Sequence, residues 1–194
     1  MQLHDTNGNN IDIYALDNTR WKDFETLFGV RGACGGCWCM SWRLRKSDFE
    51  KQKGTMNKEA MKSLVQQNEN IGVLAYIGSN VIGWCAVAPR EVYLRLEKSR
   101  VLKRIDDKPV WSISCIYISK AYRRKGVSAI LIKGAIEYCK ANGATIIEAY
   151  PVVPYSSKVP DAFMWKGIPT TFEKLGFVVA KARSNSNPIM RYYL

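Results

Sequence analysis

Apolar and polar residues alternate from Ile11 to Leu16 as in a half-buried strand, and denser β-branched and aromatic stretches follow at Ile71 to Ile77, Val81 to Ala88 and Val110 to Ile118. Gly78-Ser79-Asn80 joins the first two of these stretches with a hairpin turn signal, and Pro89 stops the second. Asp17-Asn18-Thr19 offers N-cap residues for a helix through Phe28, a glycine- and cysteine-rich loop follows, and Asn57 to Gln67 reads as another helix. Arg90 to Arg104 reads as a polar helix. Beyond Ile118, the residues Val127, Ile130, Leu131, Gly134, Ala135 and Tyr138 recur at helical spacing on one face. Asn142-Gly143 then supplies a C-cap, and Ala144 to Tyr150 a strand ended by Pro151. Prolines at 151, 154 and 160 make residues 151–166 largely loop. A short helix from Pro169 or Thr170 to Leu175 and strands at Val178 to Ala182 and Pro188 to Tyr193 close the chain. Strands and helices mixed in this order predict an α/β fold, a curved sheet flanked by helices, in one domain over residues 1–194.

The stretch Ile118-Ser-Lys-Ala-Tyr-Arg-Arg-Lys-Gly-Val-Ser128 stands out, because it leads from a strand into a helix through a basic turn. The first amides of a helix have no intrahelical acceptor and carry the positive end of its dipole. Gly126 lets an anion approach the backbone with no Cβ in the way, and Arg123, Arg124 and Lys125 add charge. A phosphorylated ligand is expected there, although basic turns before helices are also common surface features.

Arg123, Gly126 and Ser128 resemble the cofactor-binding motif of the GNAT superfamily of N-acetyltransferases, which runs Arg or Gln, two residues, Gly, one residue, Gly or Ala. Ser128 departs from that pattern but is small. A second GNAT-like element follows at Phe172-Glu-Lys-Leu-Gly-Phe177, and the resemblance extends from about residue 10 onward. It implies a GNAT-like acyl-CoA N-acyltransferase fold, a curved mixed central sheet flanked by helices in which two central strands splay apart. It implies acetyl-CoA as co-substrate and no metal. Ile116, Tyr117 and Ile118 would bind the pantetheine arm by main chain. The pyrophosphate would lie on Arg123, Arg124, Lys125, Gly126, Val127 and Ser128, with Phe172 also at the cofactor.

Acetyl transfer needs a neutral amine, a polarised thioester carbonyl and a stabilised thiolate leaving group. Glu148, on the strand facing the splay, is the candidate proton acceptor, and Tyr150 shares its face. A salt-bridged strand residue is the competing reading of Glu148. Many GNAT enzymes carry a tyrosine where this chain has Phe172, which cannot donate a proton. Tyr117, Tyr150, Tyr155 or a water would then substitute, or the thiolate leaves without an assigned acid.

Cys34-Gly-Gly-Cys37-Trp-Cys39-Met-Ser-Trp42 raises a zinc reading, but three thiolates need a fourth ligand; the single histidine, His4, lies in a terminus expected to be mobile, and Cys85 or Cys115 would have to complete the site. By position in the resembled fold, this loop covers the acceptor pocket. Trp38, Met40 and Trp42 would line it and favour an apolar or cationic amine; the alternative is that they anchor the loop to the core.

The formal net charge of +12 suits polyanions and a phosphorylated cofactor equally. Arg90 to Arg104 carries part of it and reads as a solvated helix face. Only Tyr93 interleaves there as an aromatic, so nucleic acid is disfavoured. With 47% hydrophobic residues, 194 residues suffice for a core without staples. Cys85, Cys115 and Cys139 read as small apolar residues of strands or a helix, so free thiols are expected. The chain lacks a signal-peptide pattern or an apolar run of about 20 residues, and a cytoplasmic location with no membrane partner is expected. By its resemblance, the sequence predicts an acetyl-CoA-dependent N-acetyltransferase acting on a primary amine, that of a small molecule by the narrowing of its loops, as a monomer or homodimer. The alternatives are a non-catalytic acyl-CoA sensor, suggested by Phe172, and transfer to a protein or peptide amine.

Overall fold

The computed structural model describes residues 2–4, 8, 10–154, 164–182 and 188–194. Its first well-buried strand shows how the pattern becomes structure. In β2 (Asn10–Ala15), Ile11 and Ile13 are buried while Asn10 and Tyr14 face solvent. The other strands are β1 (Gln2–His4), β3 (Gly72–Ile77), β4 (Asn80–Pro89), β5 (Trp111–Ile118), β6 (Ile146–Ala149), β7 (Val178–Ala182) and β8 (Pro188–Tyr193). Together they form an eight-stranded sheet in the order β1-β2-β3-β4-β5-β6-β8-β7. Among the described residues, only the β5–β6 pair is parallel.

The two faces of the sheet carry different cores. On one lies α5 (Val127–Ala141), whose Ile130, Leu131 and Ala135 pack on Ile13, Val73, Cys85 and Val87 in a mainly aliphatic cluster. The helix comes so close that a Cβ at Gly134 would meet Ile13 Cγ2 at 2.5 Å. The other face holds α1 (Trp21–Phe28) and α3 (Thr55–Gln66) over an aromatic cluster of Trp21, Phe24, Phe28, Trp38 and Trp84. Side chains of this size contribute roughly 1.5–3 kcal/mol each on burial. Asp17 Oδ1 accepts from the amides of Thr19 and Arg20 at the turn that leads into α1, which is the cap expected of it.

The structure corrects three expectations. The amino terminus, expected to be mobile, contributes β1, which pairs with β2 at the sheet edge. A short helix, α2 (Lys46–Lys51), precedes α3. The stretch from Arg90 to Arg104 is not one helix: a single turn at Arg90–Val92 and α4 (Leu94–Glu97) are followed by irregular chain. The reason is that one of its charges leaves the solvated face: Glu91, Glu97, Lys98, Arg100 and Lys103 are exposed, but Arg90 is buried. Arg90 is 0% exposed and draws the backbone of Leu102 onto its guanidinium, with Arg90 Nη2 donating to Leu102 O at 2.6 Å.

One break in the sheet prepares the site. β5 and β6 pair only from Trp111↔Ile147 to Ile113↔Ala149, and β5 then runs on to Ile118 paired with β4 but no longer with β6. Opposite β4 the register passes from Ala86↔Cys115 to Val87↔Ile113, so Ser114 is the extra residue of a bulge. The bulge bends β5 where its pairing with β6 ends, and a gap opens between the two strands.

Candidate active site

At the far end of β5 the chain makes a helical turn at Lys120–Tyr122 and enters α5 through Gly126, which is left-handed at φ +78°. Arg124 is left-handed too, at φ +60°, and the two reversals curl the backbone around Lys125. The amides of Val127 and Ser128 have no carbonyl one turn earlier inside the helix, whereas Ala129 N–H already bonds to Gly126 O at 3.0 Å. Arg123 donates its Nε–H to Ile118 O at 3.0 Å and so ties the turn to the end of β5. Lys125 lies over the Tyr122 ring at 5.6 Å. Arg123, Arg124, Lys125, Gly126, Val127 and Ser128 thus form one contiguous cradle, which fits an anionic group.

Alternation along β5 decides which main-chain groups face the gap. Ser119 N–H donates to Ile82 O, on the β4 side, while Ile116 N–H donates to Trp165 O at 2.6 Å, across the gap. Ile116 and Ile118 therefore present their backbones to the gap and Tyr117 presents its own to β4. The side chain of Tyr117 packs against Phe28, with ring centroids 5.4 Å apart. The Trp165 segment bridges the gap at a second point, where Val152 N–H donates to Gly167 O at 3.0 Å. Phe172, in α6 (Pro169–Glu173), is fully buried and packs edge-on against Phe177 at 5.0 Å.

Glu148 and Tyr150 sit at the foot of the gap, in the interior. Glu148 is 1% exposed, and both of its oxygens are engaged. Oε1 accepts from Arg191 Nε at 2.9 Å; Oε2 accepts from Arg90 Nη1 at 2.9 Å and from the Tyr150 hydroxyl at 2.7 Å. Tyr150 also accepts from Arg90 Nη1 and shares a 2.8 Å hydrogen bond with Ser112. Burial, then the Glu148 charge, holds its hydroxyl proton far above the ordinary tyrosine range. Outward, Arg191 binds Asp106 in bidentate fashion at 2.6 and 2.9 Å, and Arg90 binds Glu97 at 2.6 Å. A buried charge is tolerable only when paired and hydrogen-bonded, and here two guanidiniums surround one carboxylate. Sequence reasoning missed Arg90 and Arg191 as partners of Glu148, and Asp106 as the partner of Arg191. Their separations along the chain are large, and no local pattern marks them.

On the aromatic face, the loop after α1 places its three expected side chains differently. Trp38 and Met40 are each 4% exposed and belong to the core, with Trp38 stacked on Phe28 at 5.8 Å. Trp42 lies toward the gap, 6.1 Å from Trp165 and beneath Arg95, whose guanidinium is 5.6 Å from its ring. The Trp42 indole N–H is buried without an acceptor among the described residues. Trp165 was not singled out from the sequence, because its place at the gap depends on the return of the chain after β6. Tyr155 and residues 155–163 lie outside the described residues, as does the side chain of His4. All six cysteines are free, and the described residues contain no cluster of three or more His, Cys, Asp or Glu side chains placed to hold a metal. Among them no helix is long and apolar enough to cross a membrane.

Comparison with known proteins agrees with this geometry. The family model described as the Acetyltransferase (GNAT) family matches residues 38–156. No curated protein matches the chain. Among solved structures, a GNAT-family acetyltransferase from Listeria monocytogenes superposes with a TM-score of 0.58 at 12% identity, covering 100% of both chains. The PaiA N-acetyltransferase from Thermoplasma acidophilum, in complex with coenzyme A, gives 0.50 at 18% identity, covering 95% of this chain and 99% of that one. A chain of the NatC complex bound to Gag peptide and CoA gives 0.53 at 13% identity, with coverage of 95% and 98%. These likenesses show the fold.

Proposed function

The chain belongs to the GNAT family of acetyltransferases, and on that premise we propose that it transfers the acetyl group of acetyl-CoA to a primary amine of a small molecule. The observation that carries the reading is the cradle at residues 123–128 standing at the end of the unpaired β5 edge. An anionic cofactor end would lie on the amides of Val127 and Ser128, and its extended arm would run along Ile116 and Ile118, whose backbones face the gap. The Ile116 N–H now bonds to Trp165 O, so that bond is exchanged when the arm binds. Such an exchange replaces one hydrogen bond by another at small net cost.

The acceptor would approach from the aromatic face. Trp42 and Trp165 offer ring surface there, the Trp42 N–H offers an unmet donor, and Trp38 and Met40 hold the loop from beneath. Glu148 is better suited to positioning than to proton transfer, since both its oxygens already accept from Arg90, Arg191 and Tyr150. It fixes the foot of the gap. The amine then loses its proton to water or arrives neutral, and the thiolate departs without help from Phe172.

Calorimetry with acetyl-CoA, together with mass detection of acetylated product from a panel of amines, tests the reading. Ser128→Glu places a carboxylate at the cradle while suiting a helix N-terminus, so acetyl-CoA affinity should fall about 10-fold or more with the melting temperature unchanged. Gly126→Val should weaken binding further, by filling the approach to the backbone. Unchanged affinity in folded Ser128→Glu would remove the basis of the assignment. Binding without product from any amine would make the chain an acyl-CoA sensor, and product only from peptide amines would move the acceptor class.

A further inference from the structure

Two cations stand where the acceptor would enter, and the acyl-transfer reading leaves them unused. Arg95, in α4, donates its backbone N–H to Trp42 O at 3.0 Å and its Nη1–H to Ser41 Oγ at 3.3 Å, and its guanidinium lies 5.6 Å from the centre of the Trp42 ring. Lys166 Nζ lies 5.9 Å from the Trp165 ring, and the rings of Trp42 and Trp165 are 6.1 Å apart. The carbonyl of Trp165 in turn accepts the Ile116 N–H. A continuous line of contacts therefore leads from the β5 edge across both indoles to the Arg95 guanidinium. Trp42, Arg95, Trp165 and Lys166 are each only partly buried, so each keeps surface that a solute reaches.

The two cations differ from their neighbours in having no carboxylate. Arg90 is paired with Glu97 and Glu148, Arg104 with Glu91 and Glu97, and Arg191 with Asp106 and Glu148. Among the described residues neither Arg95 nor Lys166 has an acidic partner: Arg95 has a hydroxyl and a ring, Lys166 a ring. Of the Arg95 side-chain nitrogens only Nη1 is engaged there. Burial also lowers the proton affinity of Lys166, a cost that an anion beside it would offset. The aromatic faces themselves attract cations, but here the protein supplies its own, one over each ring. A further cation would meet two like charges. An anionic group would instead meet a planar guanidinium fork and an ammonium.

We propose that the acceptor is an amino carboxylate, and that Arg95 and Lys166 recognise the carboxylate at the end of the molecule remote from the reacting nitrogen. The carboxylate takes the Nε–H and Nη2–H of Arg95 while Ser41 engages the remaining nitrogen, and Lys166 adds its charge. The apolar middle of the acceptor lies on Trp42 and Trp165, and its amine faces the β5 edge that β6 leaves. Arg95 is thereby a specificity-determining residue, set apart from the cradle that holds the cofactor. The inference names the acceptor of the acetyl transfer proposed above and rests on that reading for turnover; binding of the carboxylate does not depend on it.

Straight-chain ω-amino carboxylates of increasing length and para-(aminomethyl)benzoate are each compared with the matching carboxamide and the matching diamine. With product measured by mass, kcat/KM should be about 10-fold or more higher for the best carboxylate than for its carboxamide, and the diamine should be poorer still. Calorimetry of the same compounds on the full chain, with and without coenzyme A, should give the same order. Arg95→Gln should bring the ratio of carboxylate to carboxamide within about 2-fold of one, while Arg95→Lys keeps part of it and Lys166→Gln lowers it by about 3-fold. Acetyl-CoA affinity at the parent value identifies the variants as folded; if Arg95→Gln does not fold, Lys166→Gln and the comparison in the parent chain still decide. Equal use of carboxylates and carboxamides, a preference for diamines, or a carboxylate preference that survives in the Arg95→Gln/Lys166→Gln double variant would each overturn the proposal. If no amine is acetylated, the function reading fails and the calorimetric ratio decides this one alone: tighter binding of carboxylates that is lost in Arg95→Gln upholds it, and carboxylates that bind no better than carboxamides remove it.

Discussion

The two sides of the gap are built by different means. On the side of α5, the candidate cofactor site is one continuous run: the end of β5, a turn with two left-handed residues, and the first turn of a helix. On the aromatic side nothing is contiguous. Glu148 meets Arg90, Arg191 and Ser112 from three other stretches, and Trp42 meets Trp165. The difference has a physical root. Phosphates are bound by backbone amides, which any sequence able to make the turn provides, so a short local motif suffices. Shaping the space for an acceptor takes side chains that converge from many elements, and each buried polar one has to be satisfied by others.

The comparison makes its strongest demand at Glu148. If the acceptor side is held by its buried network, Glu148→Gln leaves two guanidiniums facing a neutral amide and should destabilise the fold by about 3–5 kcal/mol, read as the urea midpoint at unchanged slope. Turnover would fall with it, but the pH profile of kcat in the surviving folded enzyme should keep its shape. A base acting on the amine instead predicts full stability, a loss of roughly 10²-fold, and recovery as pH rises toward the amine pKa. Ser128→Glu is the counterpart on the other side, affecting affinity and sparing stability.

How legible each side was follows from the same contrast. Strands β2 to β8, α1, α3, α5 and the turn into α5 were readable because periodicity, caps and glycine act within a few residues: Asp17 caps the turn into α1, Gly126 stands at the N-terminus of α5, and Pro169 opens α6. Arg90 was misread because a run of charges looks solvated until a carboxylate 58 positions away claims one of them. Glu148 was legible as a residue of the strand beside β5, but its surroundings are set by Arg191 from β8, a partner that no spacing announces. Trp38, Met40 and Trp42 read alike in sequence. The local loop geometry sends the first two into the core and the third toward the gap.

A smaller effect separates the two sides kinetically. Trp42→Ala removes ring surface and the unmet N–H near Trp165 without touching the cradle. KM for the amine should rise about 10-fold, the scale of one aromatic contact to a cationic or apolar body, while KM for acetyl-CoA stays within error. A rise in both by the same factor would mean that the two sides are not separable in this way.

The smallest test concerns the outer end of the network. Arg191 holds the Asp106 carboxyl at about 2, below its ordinary 3.8, first by their hydrogen bonds and then by charge, with the Lys108 amide adding to it. A depressed carboxyl pKa stabilises the folded state above the unfolded value, and the contribution is lost as pH falls through the folded one. Asp106 is partly exposed, so solvent screening leaves about 1 kcal/mol of this contribution at neutral pH. Asp106→Asn should therefore be less stable than the parent by about 1 kcal/mol at pH 7. The gap should persist down to about pH 5, then narrow between about pH 4 and pH 2 as the parent protonates. Arg191 retains Glu148 throughout, so the variant should still fold and bind acetyl-CoA as the parent does. A difference that is constant across that acid range would assign the cost to lost packing, and would detach Asp106 from the charge network that holds the foot of the gap.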